Sequence, residues 1–303
     1  MKSVKQPSVA IIVLHWIDLD TTLQCLESVF RIEYNNYVVI LFDNSGDMHS
    51  QQLIRKKFPQ VTILSEGKNV GFCRGNNIAI SHALKNRCDY VLLLNSDTLV
   101  TEDFLDCMIG VAEFDQTIAI VGPALYEDRE MHHLGSTGSK ISFTRGVSIS
   151  IRDTGTSILD VSMVSGACML VKKMFFEKIG TFNEEYFAYY EDIEFCFKAK
   201  KLGLRVVCAT KAKVYHHWGR WYTRNKLPCT YRLFTKNRLL FVFKNGDAHH
   251  NIFLLLYFFL FDIPKHFVLC FIHCRPSLFV NYLRGIIDFF LRTPPEKIVV
   301  QEK

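Results

Sequence analysis

Three short stretches place acidic and imidazole side chains where a plain core segment has no use for them. Asn95-Ser96-Asp97 closes the apolar run Tyr90–Leu94. A hard divalent ion such as Mg2+ or Mn2+ takes carboxylate and phosphate oxygens together, and Asp97 can supply one of them. The same residues can equally form a cap or turn, with Thr98 and Thr101 close behind. Glu191-Asp192 follows Phe187, Tyr189 and Tyr190, and Glu194 adds a third acid. Acids in a first helical turn suit the helix dipole. An aromatic pocket can also lift a carboxylate's pKa toward neutrality and make it a general base. His216-His217 ends the strand-like stretch "AKVY". Alternation along a strand sends the two rings to opposite faces, so at most one serves a given site.

Two further segments could meet a nucleotide. Asp43 sits in "FDNSGD", where a carboxylate can accept hydrogen bonds from a base or ribose; ordinary Asp-Asn-Ser-Gly turn chemistry explains it as well. "GKNVGFCRGNN", residues 67–77, joins a strand to a helix. Its glycines, Gly71 and Gly75, allow close backbone approach, its helix N-terminus offers N–H groups to phosphate, and Arg74 can add charge. The spacing is not that of the dinucleotide-binding fingerprint.

Positioning these residues requires regular elements. "VAIIVLHW", "YVVILFDN", "VTILSE", "YVLLLNSD" and "IAIVGPAL" are expected as strands. Helical patterns separate them over "TTLQCLESVFRI", Gln51–Phe58, "GNNIAISHALKNR" and Thr101–Phe114, the last with Thr101 as N-cap. This alternation predicts a parallel α/β sheet with helices on both faces and ligands at the strands' carboxyl ends. Tyr126–Asp160, rich in Gly, Ser and Thr, is expected to form hairpins and loops. "VSMVSGACMLVKK" then reads as a strand and "YYEDIEFCFKAKKLG" as a helix ending at Gly203. "RVVCAT" and "AKVYHH" read as two short strands.

Bulk composition narrows the class. The 303 residues suffice for one large domain, or one with an appendage, and 25 of them are Phe, a surplus that suggests surface meeting lipid or a partner. The net charge of +6 is concentrated: Lys201–His250 holds eleven Lys or Arg and one acid, Asp247. Such an excess beside apolar segments fits an anionic membrane or a phosphate-rich substrate. No nucleic-acid motif accompanies it. The ten cysteines form no CxxC pair, which fits a reducing, cytosolic setting with the thiols as small core residues. Cys270 and Cys274 could carry lipid, but burial explains them as well. The apolar run Val9–Trp16 is not a signal sequence, and no segment reaches the roughly 20 apolar residues of a spanning helix. Ile252–Phe261 and Phe267–Ile272 come nearest, separated by Asp262, Pro264 and Lys265.

The order of these pieces carries more than any one of them. "FDNS", "NVGFCRGNN", "LLLNSD", "SGACMLVKK", "GTFNEEYFAYYEDIEFCFKAKKLG" and "KVYHH" follow one another over residues 7–220. The succession resembles the family 2 inverting glycosyltransferases, and within them the bacterial rhamnosyltransferase-like branch that builds surface polysaccharides. That resemblance implies a GT-A fold, which is a Rossmann-like, mostly parallel sheet, and a nucleotide-diphosphate-sugar donor. It also implies a divalent metal, Mg2+ or Mn2+. By position, Asp43 would contact the base, and Asn69, Gly71, Arg74 and Asn77 would shape the nucleotide site with Asn95 and Ser96. Asp97 matches the last acid of the Asp-x-Asp motif and His216 a second metal ligand. Asp192 matches the catalytic base, with Glu191 and Gly166 on the acceptor side.

Some positions depart from that pattern. His15 and Ile17 flank Trp16 where the family has Asn, Asn95 replaces the first acid of Asp-x-Asp, and "HHWGRW" replaces a Gly-x-Ser segment. Two rival functions are weaker. A sugar-nucleotidyltransferase needs a Gly-rich basic loop after its first strand, and "LHWIDLDTT" has none. A non-catalytic scaffold has no reason to keep Asp97, Asp192 and His216 together.

The expected organisation is a transferase domain at 1–220 and a basic, aromatic, helical extension at 221–303 that lies in the membrane interface. A core or dimerisation helix pair is the other reading of that extension. The implied donors are dTDP-rhamnose, then a UDP-hexose. The implied acceptor is a polyprenyl-diphosphate-linked glycan, reached from the cytoplasmic face of the membrane, with a homo-oligomer possible and nucleic acid excluded.

Overall fold

The structure, a computed structural model, describes residues 6–217 and 228–300. Strands β1 (Val9–His15), β2 (Tyr37–Asp43), β3 (Thr62–Ser65) and β4 (Tyr90–Asn95) lie parallel in the order β3-β2-β1-β4. Helices α1 (Leu19–Val29), α2 (Met48–Lys57) and α3 (Phe72–Lys85) connect them. Asp18 and Asp47 cap α1 and α2 by accepting from backbone N–H groups of the first turn. The chain continues through β5 (Thr98–Val100), α4 (Phe104–Phe114) and β6 (Ile118–Tyr126). The middle segment forms β7 (Leu134–Ser136), the hairpin β8 (Ser139–Ser142) and β9 (Val147–Ser150), and β10 (Ile158–Asp160). Then come β11 (Cys168–Lys172), α5 (Lys173–Ile179), α6 (Glu191–Lys201) and the long β12 (Arg205–His216). The C-terminal part is helical: α7 (Pro228–Asn245), α8 (Ala248–Tyr257), α9 (Ile263–Ile272), α10 (Pro276–Phe290) and α11 (Pro295–Val300).

Strand β1 shows how the layers form. Ala10, Ile12 and Leu14 enter one core, while Val9, Ile11 and Val13 enter the other. A strand buried on both faces has no polar face to spare, hence its unbroken apolar sequence. One core receives α1, α2 and α4 through Leu26, Ile54 and Phe104. The other receives α3, α6 and α7 through Ile80, Phe195 and Phe241. The first C-terminal helix is thus part of the main core.

Four expectations change. First, the sheet is mostly parallel, as the resemblance implies, but it is mixed and not wholly parallel as the alternation alone predicts. β11 inserts antiparallel between β4 and β6, because the excursion through β7–β10 brings the chain back in at the carboxyl edge where β6 left it. Second, "RVVCAT" and "AKVYHH" form the single strand β12, with an irregular register between Ala209 and Lys213. Third, Thr101 does not cap a helix. Thr98–Val100 pairs with β12, and the Thr101 hydroxyl donates to Asp103, so α4 starts only at Phe104.

The fourth change concerns the C-terminal extension. Helices α8 and α9 are joined by a π-helical turn, Phe258–Asp262, into one helix of 25 residues, Ala248–Ile272. Pro264 lies in the first turn of α9, and the wider turn before it absorbs the missing N–H. This helix is long and apolar enough, by length and composition, to cross a membrane. Helix α7, expected in the interface, is instead a core helix: Leu239, Phe241 and Val242 are wholly buried, and Arg238 is 6% exposed. The segment Trp218–Trp221 lies outside the described residues.

Candidate active site

Two strands decide where the first pair of site residues meets. β5 and β12 run antiparallel with Thr98 opposite His216. The N–H of His217 donates to the Asp97 carbonyl at 3.0 Å, which extends the ladder by one residue. His216 Nε2 then stands 3.2 Å from Asp97 Oδ1. The turn that delivers Asp97 is closed by the Thr98 hydroxyl, which donates to the Asn95 carbonyl at 2.7 Å. Burial works to raise the Asp97 carboxyl, but the His216 imidazole outweighs it by charge and hydrogen bond, so the carboxyl lies below its ordinary range. The side chain keeps 42% exposure, while His216 is almost covered.

Adjacent ligands of an octahedral ion bound at about 2.1 Å lie about 3 Å apart, so this pair fits two neighbouring positions of one divalent ion. Among the described residues no three His, Cys, Asp or Glu gather around such an ion. A cation here would need its remaining ligands from water or a phosphate-bearing molecule, which is the ordinary habit of Mg2+.

The second pair lies at the same edge of the sheet. The Asn95 N–H donates to the Ala167 carbonyl at 2.8 Å, so the loop before β11 runs beside the Asp97 turn. In that loop the Gly166 N–H donates to Asp192 Oδ2 at 2.9 Å, and the Ile193 N–H donates to Oδ1 at 2.8 Å. Burial raises the Asp192 carboxyl, with these two N–H groups opposing. Burial raises the Glu191 carboxyl well above its usual range, and the charge of Asp192 adds to it. Glu191, 6% exposed, faces the Cys73 thiol at 4.0 Å. Two backbone donors oppose the rise at Asp192, and none from outside does so at Glu191, so Glu191 is the more strongly raised of the pair. Glu191 is thus turned into the core and not toward an acceptor, and Gly166 serves Asp192 through its N–H.

The loops expected to meet a nucleotide mostly hold each other. Asp43 is fully buried. Its carboxylate accepts from Ser45 N–H at 2.9 Å, the Ser45 hydroxyl, Gln51 Nε2 at 2.7 Å and the Ser65 hydroxyl. That is the turn arrangement, and it leaves no oxygen facing a base. Asn44, which sequence reasoning passed over, donates to Asn69 Oδ1 and accepts from the Val70 N–H, while Asn69 also accepts from the Gly71 N–H. Gly71 has φ +91°, and a Cβ there would meet the Phe187 ring at 2.7 Å. One N–H of the α3 start is used as well: Cys73 donates to the Phe187 carbonyl. Asn77 is buried and is saturated by Phe182 and Glu184. It fastens that segment to α3. Arg74, half-exposed, reaches Glu66 at 3.6 Å and Glu184 at 3.9 Å. Ser96 and Asn95 stay partly exposed at the turn beside Asp97.

Comparison with known proteins now bears on this geometry. A family model described as glycosyltransferase-like family 2 matches residues 7–236. This chain belongs to that family. Three curated relatives are similar to it. A low-salt glycan biosynthesis hexosyltransferase, Agl10, of Haloferax volcanii is 25% identical over 55% of this chain and 54% of its own length. An N-acetylglucosaminyl-diphospho-decaprenol L-rhamnosyltransferase of Mycobacterium tuberculosis is 25% identical over 59% of this chain and 66% of its own. The rhamnosyltransferase WbbL of Escherichia coli K12 is 27% identical over 68% and 84%. The chain thus spans about half the length of the Haloferax relative. Among solved structures, a mannosyltransferase from Pyrobaculum calidifontis in complex with GDP-Man and Mn2+ superposes with a TM-score of 0.64 at 13% identity, covering 96% of this chain and 89% of that one. The GT-A-like fold is thereby shown, with an apolar C-terminal helix added to it.

Within this family 2 chain, the aromatic stretch before Asp192 was marked by sequence, but the residue that holds its backbone was not. Phe187, Tyr189 and Tyr190 all adopt positive φ, at 62°, 70° and 76°. Residues with a Cβ hold such conformations only when the surroundings over-determine them. Asn237 of α7 does so: its fully buried Nδ2 donates to the Tyr186, Ala188 and Tyr189 carbonyls at 2.8–2.9 Å. The Tyr190 hydroxyl adds a bond to the Gly146 carbonyl at 2.8 Å. Asn237 therefore sets the entry of α6 and, with it, Asp192. It lies one residue past the end of the family match, in a helix whose basic and aromatic sequence gives no hint of that task.

Proposed function

We propose that the protein is a metal-dependent inverting glycosyltransferase that moves a sugar, rhamnose first, from a nucleotide-diphosphate donor to a lipid-linked glycan acceptor. The observation that carries this reading is one edge of the sheet. There a buried carboxylate of raised pKa, Asp192, is tied through Gly166 and Ala167 to the turn that presents Asp97 to His216. Family membership and the rhamnosyltransferase relatives support it. A UDP-hexose is the second donor choice.

Asp97 and His216 would hold the divalent ion against the donor diphosphate. When bound, such an ion offsets the charge that develops on the leaving group. Asp192 accepts the proton of the acceptor hydroxyl as that oxygen attacks the anomeric carbon. The anomeric C–O bond breaks, and the electron pair leaves with the nucleoside diphosphate. A single displacement inverts the configuration, so one carboxylate base suffices, whereas glycoside hydrolysis uses two. The neutral Glu191 keeps a second negative charge out of the pocket. Nucleotide sugars and a lipid-linked acceptor together would put the reaction at the cytoplasmic face of the membrane.

The test is purified protein with a panel of nucleotide sugars and a soluble acceptor, with Mg2+ or Mn2+ and with chelator, the product's anomeric configuration being read by NMR. A β-linked product from an α-linked donor, or its mirror case, is expected only with metal. Retention of configuration, or full activity in chelator, overturns the reading.

A further inference from the structure

The helix formed by α8, the π-helical turn and α9 buries only one stripe. Leu254, Phe258, Asp262 and Cys270, spaced by multiples of four, face the rest of the protein. The remaining circumference is apolar and open: Phe259, Phe261, Phe271 and Ile272 are each at least 61% exposed. Ile287 and Phe290 of α10 are also more than half exposed. Monomeric soluble proteins rarely leave so continuous an apolar face uncovered.

The charges around it are sorted by sign. Between Ala248 and Arg292 the sequence holds two acids, Asp262 and Asp288. Both are buried, and both are paired inward, Asp262 with Arg238 at 2.7 Å and Asp288 with Arg232. The exposed charges left on this segment are Lys265, Arg275, Arg284 and Arg292, all basic. An apolar face rimmed by one sign of charge, its acids withdrawn, complements an anionic surface with an apolar interior.

We propose that the Ala248–Ile272 helix and the outer face of α10 seat the protein on an anionic lipid bilayer, with the helix in the plane of the interface. The helix is roughly 37 Å long, enough to span, but it cannot do so in this packing. Its midpoint is tied to the body: Asp262 also accepts from the Tyr282 hydroxyl at 2.7 Å, and Arg238 donates to the Arg145 carbonyl. A spanning helix would draw that ion pair and α10 into the bilayer centre. Lying flat, it buries its open face and keeps its inner stripe on the protein.

The seat is close to the base. Leu254 packs against Gly146, whose carbonyl holds Tyr190, two residues before Asp192. An acceptor anchored in the bilayer would thus meet the base near the lipid surface. That last step rests on the transferase reading, whereas the docking itself does not.

The experiment uses full-length protein and vesicles of phosphatidylcholine alone or mixed with phosphatidylglycerol, read by co-sedimentation at low and high salt. Binding is expected with phosphatidylglycerol and should weaken with salt. Phe259→Ser/Phe271→Ser should lower partitioning about a hundredfold, since two exposed aromatic rings no longer enter the lipid. Lys265→Glu/Arg275→Glu/Arg284→Glu should abolish the preference for anionic vesicles. Both sets alter exposed side chains, so melting temperature and turnover of a soluble acceptor should stay unchanged. Equal sedimentation of wild type and both variants overturns the proposal. So does a lipid-free dimer that Phe259→Ser/Phe271→Ser converts to monomer while no vesicle binds, for then a second copy covers the face. Vesicle binding by a wild type that turns over no acceptor would count against the transferase reading alone.

Discussion

The carboxyl edge of the sheet and the C-terminal helices both join charged residues to aromatic neighbours, yet they arrange them in opposite ways. At the sheet edge, Asp97 stays 42% exposed and its partner His216 is presented by a strand ladder. In the helices, Arg238–Asp262 and Arg232–Asp288 are buried inside while phenylalanines face out. The lesson is that charge marks function here only where backbone geometry keeps it open to a ligand. In the helical part, the buried charges fix the packing, and the apolar groups with the exposed basic side chains remain free for a partner.

The contrast can be broken most sharply at Asp192. Asp192→Asn should lower turnover by about 10²–10⁴ or more while leaving the donor Kd nearly unchanged, as measured by calorimetry. Unchanged turnover would remove the site from this sheet edge. Next comes the helical part. Arg238→Met leaves Asp262 buried beside an uncharged side chain and should cost about 3–5 kcal/mol in denaturant unfolding. Arg238→Met/Asp262→Leu should recover most of that loss, and a failure to recover would mean that the pair does more than neutralise itself. His216→Ala should weaken metal-dependent donor binding about 10–100-fold, with metal-free binding unaffected.

The smallest effect concerns protons. Burial raises the Glu191 carboxyl, so folding favours its protonated form. Below the ordinary carboxyl range the native and unfolded states bind this proton alike. Above it the unfolded state releases the proton while the native state keeps it, so stability falls as pH rises, up to the raised native pKa. Glu191→Gln lacks this loss. Its stability relative to wild type should therefore grow as pH rises above the ordinary carboxyl range, in urea titrations at several pH values. A constant difference across that range would show Glu191 to be ionised in the native protein. For Asp192, whose carboxyl is also raised, turnover should increase with pH along a limb displaced above the ordinary carboxylate range.

Much of this was legible before any coordinates. Strands β1, β4 and β6 fall where their apolar runs place them, because burial on both faces leaves no polar alternative. The proposed site residues Asp97, Asp192 and His216 could be named from order and type. Other readings depended on partners that the sequence does not show. Asp43 and Asn77 have the right residue types for ligand contact, but Gln51, Ser65, Phe182 and Glu184 already occupy them. The Lys- and Arg-rich helix α7 reads as surface, yet Asp288 and Asp262 draw its arginines inward.

The sequence by itself determined the local elements, the chemistry available at the strand ends and the apolar surplus of the C-terminal helices. These follow from periodicity and residue type within a few turns of chain. Tertiary structure alone decided that His216 stands 3.2 Å from Asp97, through a register between β5 and β12. It alone decided that Asn237 holds the loop before Asp192. It also decided that one helix, Ala248–Ile272, runs unbroken past Pro264. The physical reason is common to all three: each depends on hydrogen bonds or packing between groups distant in sequence, and no local pattern records which partner a buried polar group will meet.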